Sequence, residues 1–549
     1  MPVDEITEPT TWVRAQLGRV RGLVHHDREY SILSATVLLG AALIMSRLLG
    51  FAREAYIAYA FGAQQQTDAY IAAYTIPDIL YSLLAGGTLS ITLTLVLTRY
   101  EYAEGEKDTH SVFSVIFTIM ASILLGATVL AEIFAPQFAR LLFPKFDPNQ
   151  LRLCVRIIRI LLPARLFLYI GTMLSAVLLS MRRFFLPAIS PLVINIGVLG
   201  VAVLMGGRIG VVSLAVGNLL GTLVGPCLLH GMAVRGAGYS YRPSFDFHNP
   251  GLREWLTLSL PMMVSVSLFS ADNWFVSYFA SGLNGDITRI HYAKQLLFVP
   301  VALFGSTSSE AAVPFLGKLF SQRRFQEFER SLNRAVYAVS AATLLAASWL
   351  ISVSLPLCDV VLRRGRFEFA DSQKTALYLS CMAISLVFWS LIITYSRGLS
   401  AAMDTVRPAV VGTLTVLAFF PIYGLLFHVW STMGLAIAPC LATAANVAVL
   451  ATLTHRKGLA RFTTLSYGEI GKSLGIAVAG SIAGHFANGI IRIDGTRGAD
   501  IKAIAVDSAC WFSVVALGLW ITRSSLLNHL SGWTGLRLYR KLGDEPNPV

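Results

Sequence analysis

Apolar runs long enough to cross a bilayer recur along this chain from end to end, and that repetition leaves few folds open to it. They read at 31–61, 67–99, 111–136, 157–181, 186–207, 210–234, 253–281, 287–320, 331–356, 373–402, 407–428, 431–455, 469–491 and 501–524. At 1.5 Å per residue each is long enough for a hydrocarbon core about 30 Å thick. A backbone in lipid has no water to bond, so such runs cross as helices. The expectation is an all-α polytopic membrane protein of about fourteen transmembrane helices. Hydrophobic residues make up 55% of the chain and charged residues 14%, against roughly a quarter charged in soluble domains. No sizeable soluble domain fits between the runs.

The widest polar gap near the middle, RGAGYSYRPSFDFHNPGLRE at 235–254, separates six runs from eight. The expected division is an N-terminal segment 1–30, a six-helix lobe 31–234, a linker 235–252, a second six-helix lobe 253–455, two additional helices 456–524 and a tail 525–549. An even number of spans puts both termini on one side, and the Lys and Arg bias across the loops makes that side the cytoplasm. The first thirty residues hold Arg14, Arg19, Arg21 and Arg28 with no apolar h-region, so no cleaved signal peptide is expected. The segments 68–97 and 287–316 echo one another, each with a mid-span Pro, a stretch of small residues and an apolar end. Repeated halves of this kind suit a transporter that rocks one bundle against another.

The net charge of +13 is spread over loops and helix ends, which reads as topology and contact with anionic membrane lipids, with no nucleic-acid partner. The six cysteines sit singly, without ligand-spaced histidines. Neither disulfide nor metal is expected, and no cofactor. No Walker A sequence and no catalytic constellation is present, so the chain reads as a transporter, its cycle coupled to an ion gradient or the membrane potential.

Charges inside the runs carry the functional signal, because they are costly at membrane depth and rarely face lipid. The first run holds Arg47, Arg53 and Glu54 in MSRLLGFAREAY. Arg47 and Arg53 lie about 120° apart on an ideal helix, and a break near Gly50 would turn both toward one cavity. An arginine-lined cavity suits phosphate or pyrophosphate, which guanidinium binds through paired donors. The competing reading pairs Arg53 with Glu54 or Asp68, or lets an arginine snorkel to a headgroup. Asp68 and Asp78 flank the second run, as helix caps or as gating groups. Asp272 and Glu310 lie in apolar runs, where each closes an internal ion pair or carries an ion or proton. Lys294 is a further candidate cation for the cavity.

At SRLLGFAREAYIAYAFGAQQQTDAYIAAYTIPD (46–78) the chain resembles the MviN/MurJ family of lipid II flippases, within the multidrug/oligosaccharidyl-lipid/polysaccharide exporter superfamily. The likeness extends to YAKQLLFVPVALFG (292–305), VVLRRGRFEFADSQKTALYL (360–379), YSRGLSAAMDTVRPAVVG (395–412) and MGLAIAPCLATAANVAVL (433–450). It implies two six-helix lobes around a central cavity, with the last two helices forming a groove for a polyprenyl tail. It also implies a function, delivery of undecaprenyl-pyrophosphate-linked peptidoglycan precursor to the periplasmic leaflet of the bacterial inner membrane by alternating access, as a monomer. Arg47, Arg53 and Asp68 fall on family positions tied to the cavity and transport. The sequence departs where the family has an arginine in a phrase like FRIPN, here Thr75 in YTIPD, and in one like YADRL, here Lys294 and Gln295 in YAKQL. Gly86 replaces a family acid. These losses keep open a flippase for another undecaprenyl-linked glycan. A small-molecule cation antiporter, a polyprenyl-phosphate enzyme and a non-transporting scaffold are weaker alternatives, the first opposed by the first-run arginines.

Overall fold

The computed structural model describes residues 32–85, 89–103, 106–263, 268–490, 497–524 and 526. The expected N-terminal segment 1–30, the tail 525–549 apart from Leu526, and Gly86 lie outside the described residues. Among the described residues every regular element is a helix. The chain divides into two compact units, Met1–Val266 and Ser267–Val549.

The first unit contains α1 (Ile32–Phe61), α2 (Gln65–Ala73), α3 (Thr75–Ala85), α4 (Leu89–Ala103), α5 (Glu106–Leu142), α6 (Pro148–Ser180), α7 (Phe185–Ile209), α8 (Val212–Thr222), α9 (His230–Gly236) and α10 (Pro250–Met263). Helix α6 starts sharply: Asp147 accepts hydrogen bonds from the backbone N–H of Asn149 (2.8 Å) and Gln150 (2.9 Å), and Pro148 fills the first position. A π-helical stretch, Leu223–Leu229, joins α8 to α9 around Pro226, whose ring cannot continue a regular ladder. Helices α7 and α8 meet at glycines. A Cβ on Gly217 would sit 2.6 Å from the Gly197 carbonyl oxygen, and one on Gly221 would sit 2.9 Å from the Ile194 Cα. Close backbone contact through small residues is how helices associate where lipid removes the hydrophobic drive. The core of the unit gathers Leu93, Leu97, Phe113, Ile116, Tyr169 and Trp255.

The polar stretch read as a linker is docked rather than loose. The Tyr239 hydroxyl donates to the Thr109 carbonyl (3.3 Å), and the N–H groups of Arg242 and Ser244 donate to the hydroxyls of Ser114 and Thr118, both at 3.2 Å. All three acceptors lie on α5. Beyond it α10 completes the same unit, with Trp255 wholly buried in the core and Glu254 paired to Arg99 of α4 at 2.6 Å. The division at Val266 therefore falls inside the seventh apolar run.

The second unit contains α11 (Leu268–Phe279), α12 (Asp286–Pro300), α13 (Thr307–Ser321), α14 (Phe325–Ser352), α15 (Ser354–Leu362), α16 (Phe369–Ala383), α17 (Ser385–Ala401), α18 (Val406–Trp430), α19 (Thr432–Arg456), α20 (Tyr467–Ile490) and α21 (Arg497–Ile521). One core joins Phe328, Leu332, Tyr395, Leu399 and Leu450. A second seats the last two helices on α14 through Tyr337, Leu345, Ile476, Val515 and Leu519.

Among the described residues seven helices are long and apolar enough to cross a membrane, one of them running from Val212 to Gly236 through the π-helical stretch, and the pair α16 and α17, bent by 45°, makes an eighth if it is one span. The expected number of about fourteen counts apolar runs, and the fold divides several of them. The run 67–99 is shared by α2, α3 and α4, and 287–320 is interrupted by the π-helical Val301–Ser306 immediately after Pro300. Both members of the sequence echo are thus interrupted helices. Helices α7 and α18 are mostly unburied along their apolar windows. Leu204 (80%) and Leu417 (66%) are exposed, as side chains are when the surrounding solvent is hydrocarbon.

Candidate functional site

In the first unit, charge and aromatic rings converge from four helices. Helix α1 runs unbroken through Gly50, so the expected break there is absent, and Arg47 and Arg53 keep their angular separation. Arg47 is exposed. Arg53 points to α7, where its Nη1 donates to the Asn195 side-chain oxygen at 2.9 Å, while its Nη2 donates to Glu54 at 2.6 Å. Its side chain is 26% exposed. The pairing with Glu54, one of the two readings of the sequence, is what the structure shows.

The other half of the cluster comes from the joint between α2 and α3 and from mid-α6. The hydroxyls of Tyr70 and Tyr74 lie 2.9 Å apart with their rings edge to face. Arg165 of α6, 19% exposed, pairs with Asp78 and lies 5.4 Å from the Tyr74 ring centre and 5.9 Å from that of Tyr81, a cation–π arrangement on two faces. The Tyr74 phenol lies in the electrostatic field of both Arg53 and Arg165. The Nε–H groups of Arg53 and Arg165 are buried without an acceptor among the described residues, and an unmet donor out of water costs about 1–3 kcal/mol. An oxyanion is the ligand that such donors satisfy.

Asp68 is wholly buried in the first turn of α2, where a carboxylate complements the positive helix end. Its turn is fixed by Gly62, at φ +65°, and by the Thr67 hydroxyl donating to the Gly62 carbonyl at 2.9 Å. Thr75 is buried at the start of α3, too short to present a donor beyond its own turn. The guanidinium absent at Thr75 has a neighbour: Arg165 is bound to Asp78, three residues further along the same helix.

In the second unit, Lys294 of α12 is closed into a pair. Its ammonium lies 2.6 Å from Asp272 and donates to Asn273 at 2.9 Å, and the Tyr423 hydroxyl donates to the other Asp272 oxygen at 2.6 Å. Lys294 and Asp272 are 6% and 4% exposed, so neither presents an open charge. Gln295 is half-buried, 3.4 Å from His291. Glu310 lies on α13, its side chain outside the described residues. A second network ties helix ends together: Arg289 donates to Asp286 (2.7 Å) and Asp371 (2.7 Å), and the Tyr378 hydroxyl reaches Asp286 (3.1 Å) and Thr432 (2.8 Å).

Arg165 was not among the residues singled out from the sequence, although the signal was present. It sits in ILLPARLF, an apolar run, where the cost of a buried charge asks for a partner. The Arg289 network was likewise missed, because Asp286 and Arg289 stand at a run boundary where charges are ordinary.

Residues 57–496 match the family described as Lipid II flippase MurJ. A probable lipid II flippase MurJ of Buchnera aphidicola is 28% identical over 367 residues, 65% of this chain and 71% of that protein. The lipid II flippase MurJ of Burkholderia cenocepacia is 28% identical over 431 residues, 75% of this chain and 82% of its own length. Among solved structures, a lipid II flippase MurJ in an inward closed conformation superposes with a TM-score of 0.72 at 20% identity, covering 88% of this chain and 99% of that one. An inward-facing multidrug resistance MATE family transporter of the MOP superfamily superposes with a TM-score of 0.61 at 14% identity, covering 77% and 98%. These two likenesses are of fold.

Proposed function

Because the chain belongs to the lipid II flippase MurJ family, we propose that it is a transporter that carries lipid II, the undecaprenyl-pyrophosphate-linked peptidoglycan precursor, from the cytoplasmic to the periplasmic leaflet of the inner membrane. The observation that carries this reading is the first-unit cluster, in which Arg53 and Arg165 hold unmet buried donors beside Tyr70 and Tyr74. They supply two guanidinium groups for a pyrophosphate, and Arg47, about 120° round α1 and with no ionic partner among the described residues, offers a third outside the cluster.

The finer parts of the reading extend the same logic. The protein works by alternating access, as a monomer, with both termini cytoplasmic. Its polyprenyl tail rests on the last two helices, where Leu474, Val478, Ile482 and Phe486 form an exposed apolar stripe at four-residue spacing on α20. An ion gradient or the membrane potential drives the return step, with Asp272 and Glu310 as the acidic groups available for coupling.

Arg53→Ala, Arg165→Ala and Arg47→Ala are tested for rescue of a flippase-depleted strain and for flipping of lipid II in liposomes, with and without ion gradients. Each is expected to lower flipping at least about tenfold, the worth of one charge-assisted contact, at normal membrane levels. Full rescue by all three would sink the assignment of the cluster. Preference for a different undecaprenyl-linked glycan would transfer the cluster to that substrate.

A further inference from the structure

The hairpin between α5 and α6 carries a basic groove on the turns of α6 that precede Arg165, lined by residues not used above. Arg152, Arg156 and Arg159 stand on one face of α6, at positions i, i+4 and i+7, and Arg140 meets them from the last turn of α5. With Pro136 and Val155 they line a cavity of about 490 Å³. Only part of this charge is spent internally. Arg159 lies 3.9 Å from Glu132, and Arg152 donates to Asn149 at 2.6 Å. Arg140 and Arg156 are exposed and have no ionic partner among the described residues.

The surroundings are those of a membrane interface. Helix α5 has 37 residues, about 55 Å at 1.5 Å per residue, so its last turns outrun a hydrocarbon core about 30 Å thick. Leading away from the groove, Leu125, Val129 and Ile133 repeat at four-residue spacing on the same face of α5 as Pro136 and Arg140 and are all exposed, an apolar track continuous with it. In the orientation proposed above, this hairpin faces the periplasm, the side on which arginines are disfavoured. A local anion explains their concentration there.

We propose that this groove binds an anionic phospholipid, with its phosphate between Arg140 and Arg156 and an acyl chain along the Leu125–Val129–Ile133 track. A soluble phosphate would use the arginines but not the apolar floor and track. Guanidinium pairing supplies the headgroup contact, and buried methylenes supply the rest.

Delipidated full-length protein in neutral detergent is titrated with phosphatidylglycerol, phosphatidylethanolamine or glycerol 3-phosphate, and bound molecules are counted by native mass spectrometry. Phosphatidylglycerol should be retained at least about tenfold better than phosphatidylethanolamine, and R140Q/R156Q should weaken it by roughly tenfold or more. R140K/R156K, which keeps both charges, should retain much of the binding, and R324Q, a substitution of an exposed arginine in the other unit, should retain all of it. Equal binding of the two phospholipids overturns the proposal, as does unchanged phosphatidylglycerol binding in R140Q/R156Q. Displacement of the lipid by millimolar glycerol 3-phosphate would show the ligand to be a soluble phosphate and would also overturn it.

Discussion

At the scale of residues, two buried charge clusters are satisfied to different degrees. Arg53 and Arg165 are partly satisfied and keep donors in reserve, whereas Asp272 has both oxygens filled by Lys294 and Tyr423. The Lys294–Asp272 pair therefore has a definite energetic signature. Lys294→Met leaves a carboxylate uncompensated in an apolar interior and should destabilise the protein by about 3–5 kcal/mol, while Lys294→Met with Asp272→Leu should recover most of that loss. Thermal unfolding in detergent measures both. If the double variant is stable yet flips lipid II at the wild-type rate in an ion gradient, the pair is structural and Asp272 has no part in coupling. Arg47, Arg53 and Glu54 were legible in the sequence as charges in the wrong solvent. Arg165 obeyed the same rule but lay in a run whose neighbours drew no attention, and its bond to Asp78 crosses between helices that no local pattern connects.

At the scale of elements, helix type and most run boundaries were legible because hydrophobic length in lipid admits one backbone solution. Continuity was not. Whether a Pro or Gly breaks a helix depends on what packs against it: α1 passes Gly50 undisturbed, while Pro226 sits in a π-helical stretch faced by Gly171, where a Cβ would come within 2.3 Å of the proline. The contact between α7 and α8 is the sharpest case. Gly221→Leu places a side chain where a Cβ alone lies 2.9 Å from the Ile194 backbone, so the helices must part. A loss of about 1–3 kcal/mol is expected from such overpacking, visible as a lower unfolding temperature of the purified protein. Gly207→Leu, on the same helix pair but with nothing within 4 Å of its Cβ, should leave that temperature nearly unchanged.

At the scale of the whole molecule, the number of spans and the place of division were the parts least available to the sequence. Polarity marks where water is, not where compact units divide: the stretch at 237–249 exposes most of its side chains, while its backbone is bound to the hydroxyls of Ser114 and Thr118 on α5. Orientation remains a matter of charge, which favours cytoplasmic termini. Single cysteines at Arg324 and Lys145, introduced into a protein with its six native cysteines replaced, should label from opposite sides of intact spheroplasts, with Lys145 reactive from outside. The reverse pattern would invert the topology. The docking of α10 has a practical corollary for anyone who expresses this protein as two fragments. A cut in the hydrophilic stretch would leave the amino-terminal fragment without the tryptophan that plugs its own core, and an aggregation-prone seam with it.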